Sequence, residues 1–133
     1  MISAVTPESV DFVWMSVRPM IQKALRCHAG RHMTEQYYYD AVKAGFMAMW
    51  VCHEAEEIIA AGIFSIQNHP AQKVLLVELL AGRNMSAWLD KVEPLLKEYR
   101  DLIGATTIEA SCRPGLVKKL TRWKVKSTLM ELT

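Results

Sequence analysis

MAMWVCHEAEEIIAAGIFSIQNHPAQKVLLVELLAGR, residues 47–83, decides how this chain folds. It holds three apolar runs parted by two polar breaks. Phe46–Cys52 reads "FMAMWVC" and Ile58–Ile66 reads "IIAAGIFSI". Between them His53-Glu54-Ala55-Glu56-Glu57 is a polar turn, so the two runs predict an antiparallel hairpin. Asn68-His69-Pro70 is a loop signal. Val74–Leu80, "VLLVELL", is the next strand, and its near-continuous apolar character predicts a central strand covered on both faces. The period then changes from two to 3.6, and the chain passes through Gly82 into a helical pattern.

Outward from this block the chain reads as helices and short strands. On the N-terminal side Thr6-Pro7-Glu8 is a helix start, with Thr at the cap and Pro at the first helical position. Val10, Val13, Trp14 and Val17 follow at helical spacing, and Pro19 should kink or interrupt the helix. Met20, Ile21, Ala24 and Leu25 resume the pattern until Gly30. Thr34 caps a second helix bearing Tyr37, Tyr38, Ala41 and Val42, closed by Gly45. On the C-terminal side Trp88, Val92, Leu95, Leu96, Tyr99, Leu102 and Ile103 form the best helix, bent or split at Pro94 and stopped by Gly104. Thr106–Ala110 is a short strand. Arg113-Pro114-Gly115 opens a last helix with Leu116, Val117, Leu120 and Trp123 on one side, and Val125–Leu132 is a final strand. The order is α-α-β-β-β-α-β-α-β, a mixed α/β (α+β) domain occupying residues 1–133.

Bulk properties narrow the function. The 133 residues suffice for one core and not for two. A formal charge of +2 argues against an extended nucleic-acid footprint. No apolar run approaches the ~20 residues of a membrane span, so no membrane partner is expected. The N-terminus lacks the basic start and apolar stretch of a secretion signal. Cys27, Cys52 and Cys112 are odd in number without CxxC spacing, which reads as reduced thiols, two of them buried, in a cytoplasmic protein. His28 and His32 have metal-ligand spacing, but Gly30 between them ends the helix, and no metal site is expected. Tyr37-Tyr38-Tyr39 is either an aromatic wall or, the reading favoured here, two core residues and one exposed.

Two helices, three antiparallel strands and a strand–helix–strand–helix–strand tail follow the element order of the GNAT (Gcn5-related N-acetyltransferase) fold. Residues 47–83 resemble its three central strands, and "IGATTIEASCRPGLVKKLTRWKV", residues 103–125, resembles its C-terminal pattern. More narrowly, "AGR" followed by Trp88, and "CRPGLVKKLTRW", resemble short GNAT-like proteins encoded by tailed bacteriophages. The resemblance covers roughly residues 8–132. It implies a central mixed sheet with helices on both faces, acetyl-CoA as cofactor, and transfer of acetyl to an amine acceptor that the sequence leaves unidentified.

In that family the turn after the fourth strand carries [Q/R]-x-x-G-x-[G/A], whose backbone N–H groups hold the cofactor pyrophosphate at a helix N-terminus. The resemblance places Arg83 at the first position, Ser86 at the glycine and Trp88 at the second small residue. It implies cofactor contacts from Leu80, Gly82, Arg83, Asn84, Ser86 and Ala87. A ligand-free reading accounts for the same residues: Gly82 turns the chain, Asn84 or Ser86 caps the helix, and Trp88 either joins its apolar face or fills the phosphate volume.

For the proton chemistry, Glu78 is the one acid in an apolar strand just before the turn, which makes it the first candidate base. The alternative has it at a cleft edge, paired with Arg83 or a lysine. Glu109, on the neighbouring strand, is second. The family's proton-donating Tyr falls at Leu120, which has no proton to give. Two functions stay open: an N-acetyltransferase, or a GNAT-fold phage protein without catalysis that serves as a binding or virion-assembly component. Exposed strand edges also leave a homodimer open.

Overall fold

The computed structural model of the chain describes residues 1–27, 33–110, 118–127, 130 and 132. Its elements are β1 (Ile2–Val5), α1 (Val10–Cys27), α2 (Glu35–Lys43), β2 (Ala48–Glu54), β3 (Glu57–Asn68), β4 (Lys73–Gly82), α3 (Met85–Leu102) and β5 (Thr107–Ala110). The five strands form one sheet in sequence order, antiparallel from β1 to β4 and parallel between β4 and β5. The central strand is therefore β3, and β4 lies beside it. The parallel step at β4–β5 requires a crossover, which α3 supplies.

Two cores cover the sheet. On one face Val10, Trp14, Val17 and Ile21 of α1 and Tyr38 and Val42 of α2 pack on Met49, Val51, Ala61, Ile63 and Leu79. On the other face Trp88, Val92 and Leu96 of α3 pack on Cys52, Ala60, Phe64, Leu75 and Val77. Helices on both faces around a mixed sheet is the architecture expected from the sequence. Gly62 is part of that fit, since a Cβ there would stand 2.6 Å from Cζ of Phe64.

Several expectations are corrected. A strand, β1, precedes the first helix; it pairs with β2 from Ile2↔Cys52 to Val5↔Met49. Thr6 makes no side-chain cap bond to the backbone, and a 3-10 turn at Pro7–Ser9 leads into α1 instead. Pro19 does not interrupt α1, and Pro94 does not split α3. Both helices close around their proline because the packed apolar faces outweigh one missing backbone bond. The hairpin turn is tighter than expected: β2 runs on through Glu54 and β3 starts at Glu57, with Ala55 at φ 55°. Gly45 and Gly104 close their helices with positive φ, as read.

The C-terminal expectations fare differently. The first half of the helix opened by Arg113-Pro114-Gly115 lies outside the described residues, as do Gly30, His28, His32 and Cys112. Residues 118–119 and 121–122 are turns and not the expected helix, with Trp123 N–H donating to the Leu120 carbonyl at 3.1 Å. Of the expected strand Val125–Leu132, residues 125–127, 130 and 132 are described and none is strand. Trp123 nonetheless packs against the α3 side of the sheet, and Leu120 is buried.

Candidate active site

Two bulges shape the end of the sheet where β4 enters α3. Across β3 and β4, Ile63 faces Leu79 and Phe64 faces Val77, so Glu78 is an extra residue with no partner on β3. A bulge breaks the alternation of faces. Leu75 and Val77 point under α3, but Leu79 points under α1 and α2. Glu78 is turned to the α1–α2 face with it. There Ser65, itself buried, donates its hydroxyl to Glu78 Oε2 at 2.6 Å and accepts from Gln67 Nε2 at 2.9 Å. The expectation that Glu78 pairs with Arg83 or a lysine is therefore corrected: its partner is a neutral hydroxyl, and among the described residues no cation bridges it.

Tyr38 of α2 stands near this acid. Burial, and then the negative charge of Glu78 and the adjacent Tyr37, push the Tyr38 phenol up to about 12. It keeps its proton through the neutral range. Tyr38 is buried, Tyr39 is half-buried and Tyr37 is 44 % exposed, in an edge-on contact with Tyr38, so two of the three tyrosines do face inward.

Glu109 is placed on the same face. Ile108 and Ala110 belong to the α3 side, so Thr107 and Glu109 point the other way, beside Val74 and Leu76. Lys126 donates to Glu109 Oε2 at 2.7 Å. The hydroxyl of Thr107 is buried with no hydrogen-bond partner among the described residues. One face of β3, β4 and β5 thus collects Gln67, Ser65, Glu78, Thr107 and Glu109. Glu78 and Glu109 are expected from the sequence, and Tyr38 is expected only as one of three adjacent tyrosines; Ser65 and Gln67 were missed. The signal for Ser65 was present, since it is the lone polar side chain in "IIAAGIFSI", as Glu78 is in "VLLVELL".

The second bulge lies between β2 and β3, where Cys52 faces Ala60 and His53 faces Ile58, leaving Ile59 extra. Its carbonyl serves the turn after β4: Arg83 N–H donates to Ile59 O at 3.0 Å. Gly82 is required beside it. Its φ is +148°, and a Cβ would stand 2.5 Å from that same carbonyl. The chain then reaches Asn84, left-handed at φ 56°, which precedes α3 without a side-chain cap. Neither Asn84 nor Ser86 caps as the ligand-free reading had it. Ala87 N–H donates to Asn84 O at 2.9 Å, while Asn84, Met85 and Ser86 donate to no backbone carbonyl among the described residues.

Trp88 settles what fills the turn. Its ring is 1 % exposed, lies in the core beneath α3, and donates Nε1–H to the Arg83 carbonyl at 2.9 Å. The indole braces the turn from inside and does not occupy its outer side. Gly82, Arg83, Asn84, Ser86 and Ala87 are all exposed, and Leu80 is half-buried beside Trp88. Arg83 forms an ion pair with Glu57 across the turn, an exposed pair worth at most ~1 kcal/mol. The cavity behind the indole, lined by Trp50, Cys52, Gly62, Phe64, Leu80 and Trp88, measures about 10 Å³. That is room for about one water and for no acyl chain.

These residues fit an anionic cofactor. Amides without a backbone acceptor among the described residues at the positive end of α3, beside an exposed arginine, are the donor set a diphosphate needs. Leu120 is buried and apolar, so no acid stands at its position.

No protein-family model matches the chain, and no curated protein matches it. Solved structures do. The BH1408 protein of Bacillus halodurans, as a tetramutant, superposes with TM-score 0.75 at 13 % identity, over 100 % of this chain and 99 % of that one. The ribosomal-protein-alanine N-acetyltransferase of Brucella melitensis biovar Abortus 2308 gives 0.70 at 8 % identity, over 99 % of each chain. The aminoglycoside N-acetyltransferase AAC(6')-Iy in complex with CoA gives 0.69 at 9 % identity, over 100 % of this chain and 93 % of that one. The chain therefore has the fold of the GNAT acetyltransferases.

Proposed function

We propose that this chain is an N-acetyltransferase that moves an acetyl group from acetyl-CoA to an amine acceptor. One observation carries the reading: the β4 bulge sets an acid, without a cationic partner among the described residues, immediately upstream of an exposed turn whose amides have no backbone acceptor among them. Acetyl-CoA, when bound, supplies the acetyl group as a thioester. The amides of Asn84, Met85 and Ser86 would hold its diphosphate, joined by Arg83 once it leaves Glu57. Glu78 takes the proton of the attacking amine at Oε1, while Oε2 stays on Ser65. Tyr38, buried near Glu78, keeps its proton. Leu120 has no proton to donate, so the chain supplies no acid at that position for a thiolate leaving group. Glu109 is committed to Lys126 and serves as second choice for the base.

The neighbouring structures support the cofactor, since one of them holds CoA. No helix among the described residues is long and apolar enough to cross a membrane. A second reading, a phage binding or assembly component that keeps the fold without the chemistry, is favoured by the apolar Leu120 at the acid position.

Thermal unfolding with acetyl-CoA separates the two. At about 100 times its dissociation constant the ligand should add ~2.7 kcal/mol of stability. Absence of any melting shift at millimolar acetyl-CoA sinks the enzyme reading. A shift of equal size in parent and Glu78→Gln, with acetyl transfer lost only in the variant, places the base.

A further inference from the structure

We propose that Ser65 is a positioning residue that aims Glu78 at the acceptor amine. The inference rests on reading Glu78 as the base. The bulge sets the face from which Glu78 projects, but three side-chain torsions, each with several staggered wells, still leave its carboxylate unaimed. Its aim must come from a side-chain contact. Ser65 is buried on the central strand, donates to Oε2 at 2.6 Å, and is itself fixed by Gln67 Nε2 at 2.9 Å. Gln67 consumes a lone pair of the Ser65 oxygen, which leaves the hydroxyl proton directed at the carboxylate. Oε1 has no hydrogen-bond partner among the described residues. One oxygen is anchored and the other is left for the proton. Nothing else described on this face does the same work: Tyr38 approaches Glu78 without a hydrogen bond between them, and Lys126 is spent on Glu109.

The test compares Ser65→Ala, Ser65→Thr and Glu78→Gln with the parent, by crystallography and by thiol release from acetyl-CoA with spermidine and glycinamide as amine probes. In crystals of Ser65→Ala the Glu78 carboxylate should leave its place or split over several rotamers, and in Ser65→Thr it should stay. Turnover in Ser65→Ala should fall about ten- to a hundred-fold in kcat. The acceptor KM should hold within about twofold, and Ser65→Thr should restore the rate. A Glu78 carboxylate unmoved in Ser65→Ala overturns the proposal, as does an unchanged kcat or an equal loss in the Ala and Thr variants. If neither probe turns over, the crystal comparison decides alone. The reading of Glu78 as base fails separately, through a Glu78→Gln variant that keeps the parent's kcat.

Discussion

At the scale of single residues, Tyr38 and Trp88 carry polar atoms into apolar surroundings with opposite consequences. Trp88 has a partner at hand, the Arg83 carbonyl, and the bond becomes a brace. Tyr38 is buried near a carboxylate, and its phenol is pushed up from 10.0 to about 12. The folded state therefore binds this proton more tightly than the unfolded chain does. The stability it contributes is complete below about pH 10, declines as pH rises, and is gone above about 12. Alkaline titration of unfolding free energy should show that decline in the parent and a shallower one in Tyr38→Phe. Equal slopes in the two proteins would remove Tyr38 from the account.

At the scale of elements, the bulges decide what was legible. The strand–turn–strand–loop–strand run in 47–83 was readable because alternation and turn residues are local. Glu78 stood out as the lone acid of its strand. What the sequence could not give was its face. Strict alternation sends Glu78 and Leu79 to opposite sides, and one inserted residue turns both to the same side. A bulge has no residue signature here, because its cause is the fit of β4 to β3 and to two cores at once. The helix pair α1–α2 was legible as two amphipathic segments, but not its clasp. Glu35, at the start of α2, accepts from Trp14 Nε1 at 3.1 Å, Arg18 Nε at 3.1 Å and Gln22 Nε2 at 2.9 Å. Burial pushes its carboxyl up, but the bonds from Gln22, Trp14 and Arg18 outweigh it and hold the carboxyl below its ordinary 4.5. This stabilisation is present above about pH 4.5 and lost as pH falls through the lowered value. Glu35→Gln should be less stable by about 1–2 kcal/mol at pH 7. It should also unfold less steeply in acid. A variant as stable as the parent at neutral pH would mean that the clasp contributes nothing.

At the scale of the whole molecule, the sheet begins with a four-residue strand that patterning cannot detect. "ISAV" is too short to show a period, and it becomes a strand because β2 offers it an edge. Ser3 adds a bond to His53 Nε2 at 2.9 Å, and the backbones of Met1 and His53 exchange hydrogen bonds. A chain lacking residues 2–5 should melt roughly 5–10 °C lower. It should also self-associate through the bared edge of β2. Light scattering and thermal melts check both, and a monomer of unchanged melting temperature would refute them. The C-terminal end resisted reading for a different reason: residues 118–127 are held by contacts to distant elements. Arg122 bonds Asp90 and Glu93, and Lys126 bonds Glu109. The indole beneath α3 matters at this scale too. Because Trp88 fastens Arg83 from within the core, folding alone sets the direction of the neighbouring amides. Any anion that settles there meets a receptor already shaped, so its affinity should carry little entropic loss from ordering the loop.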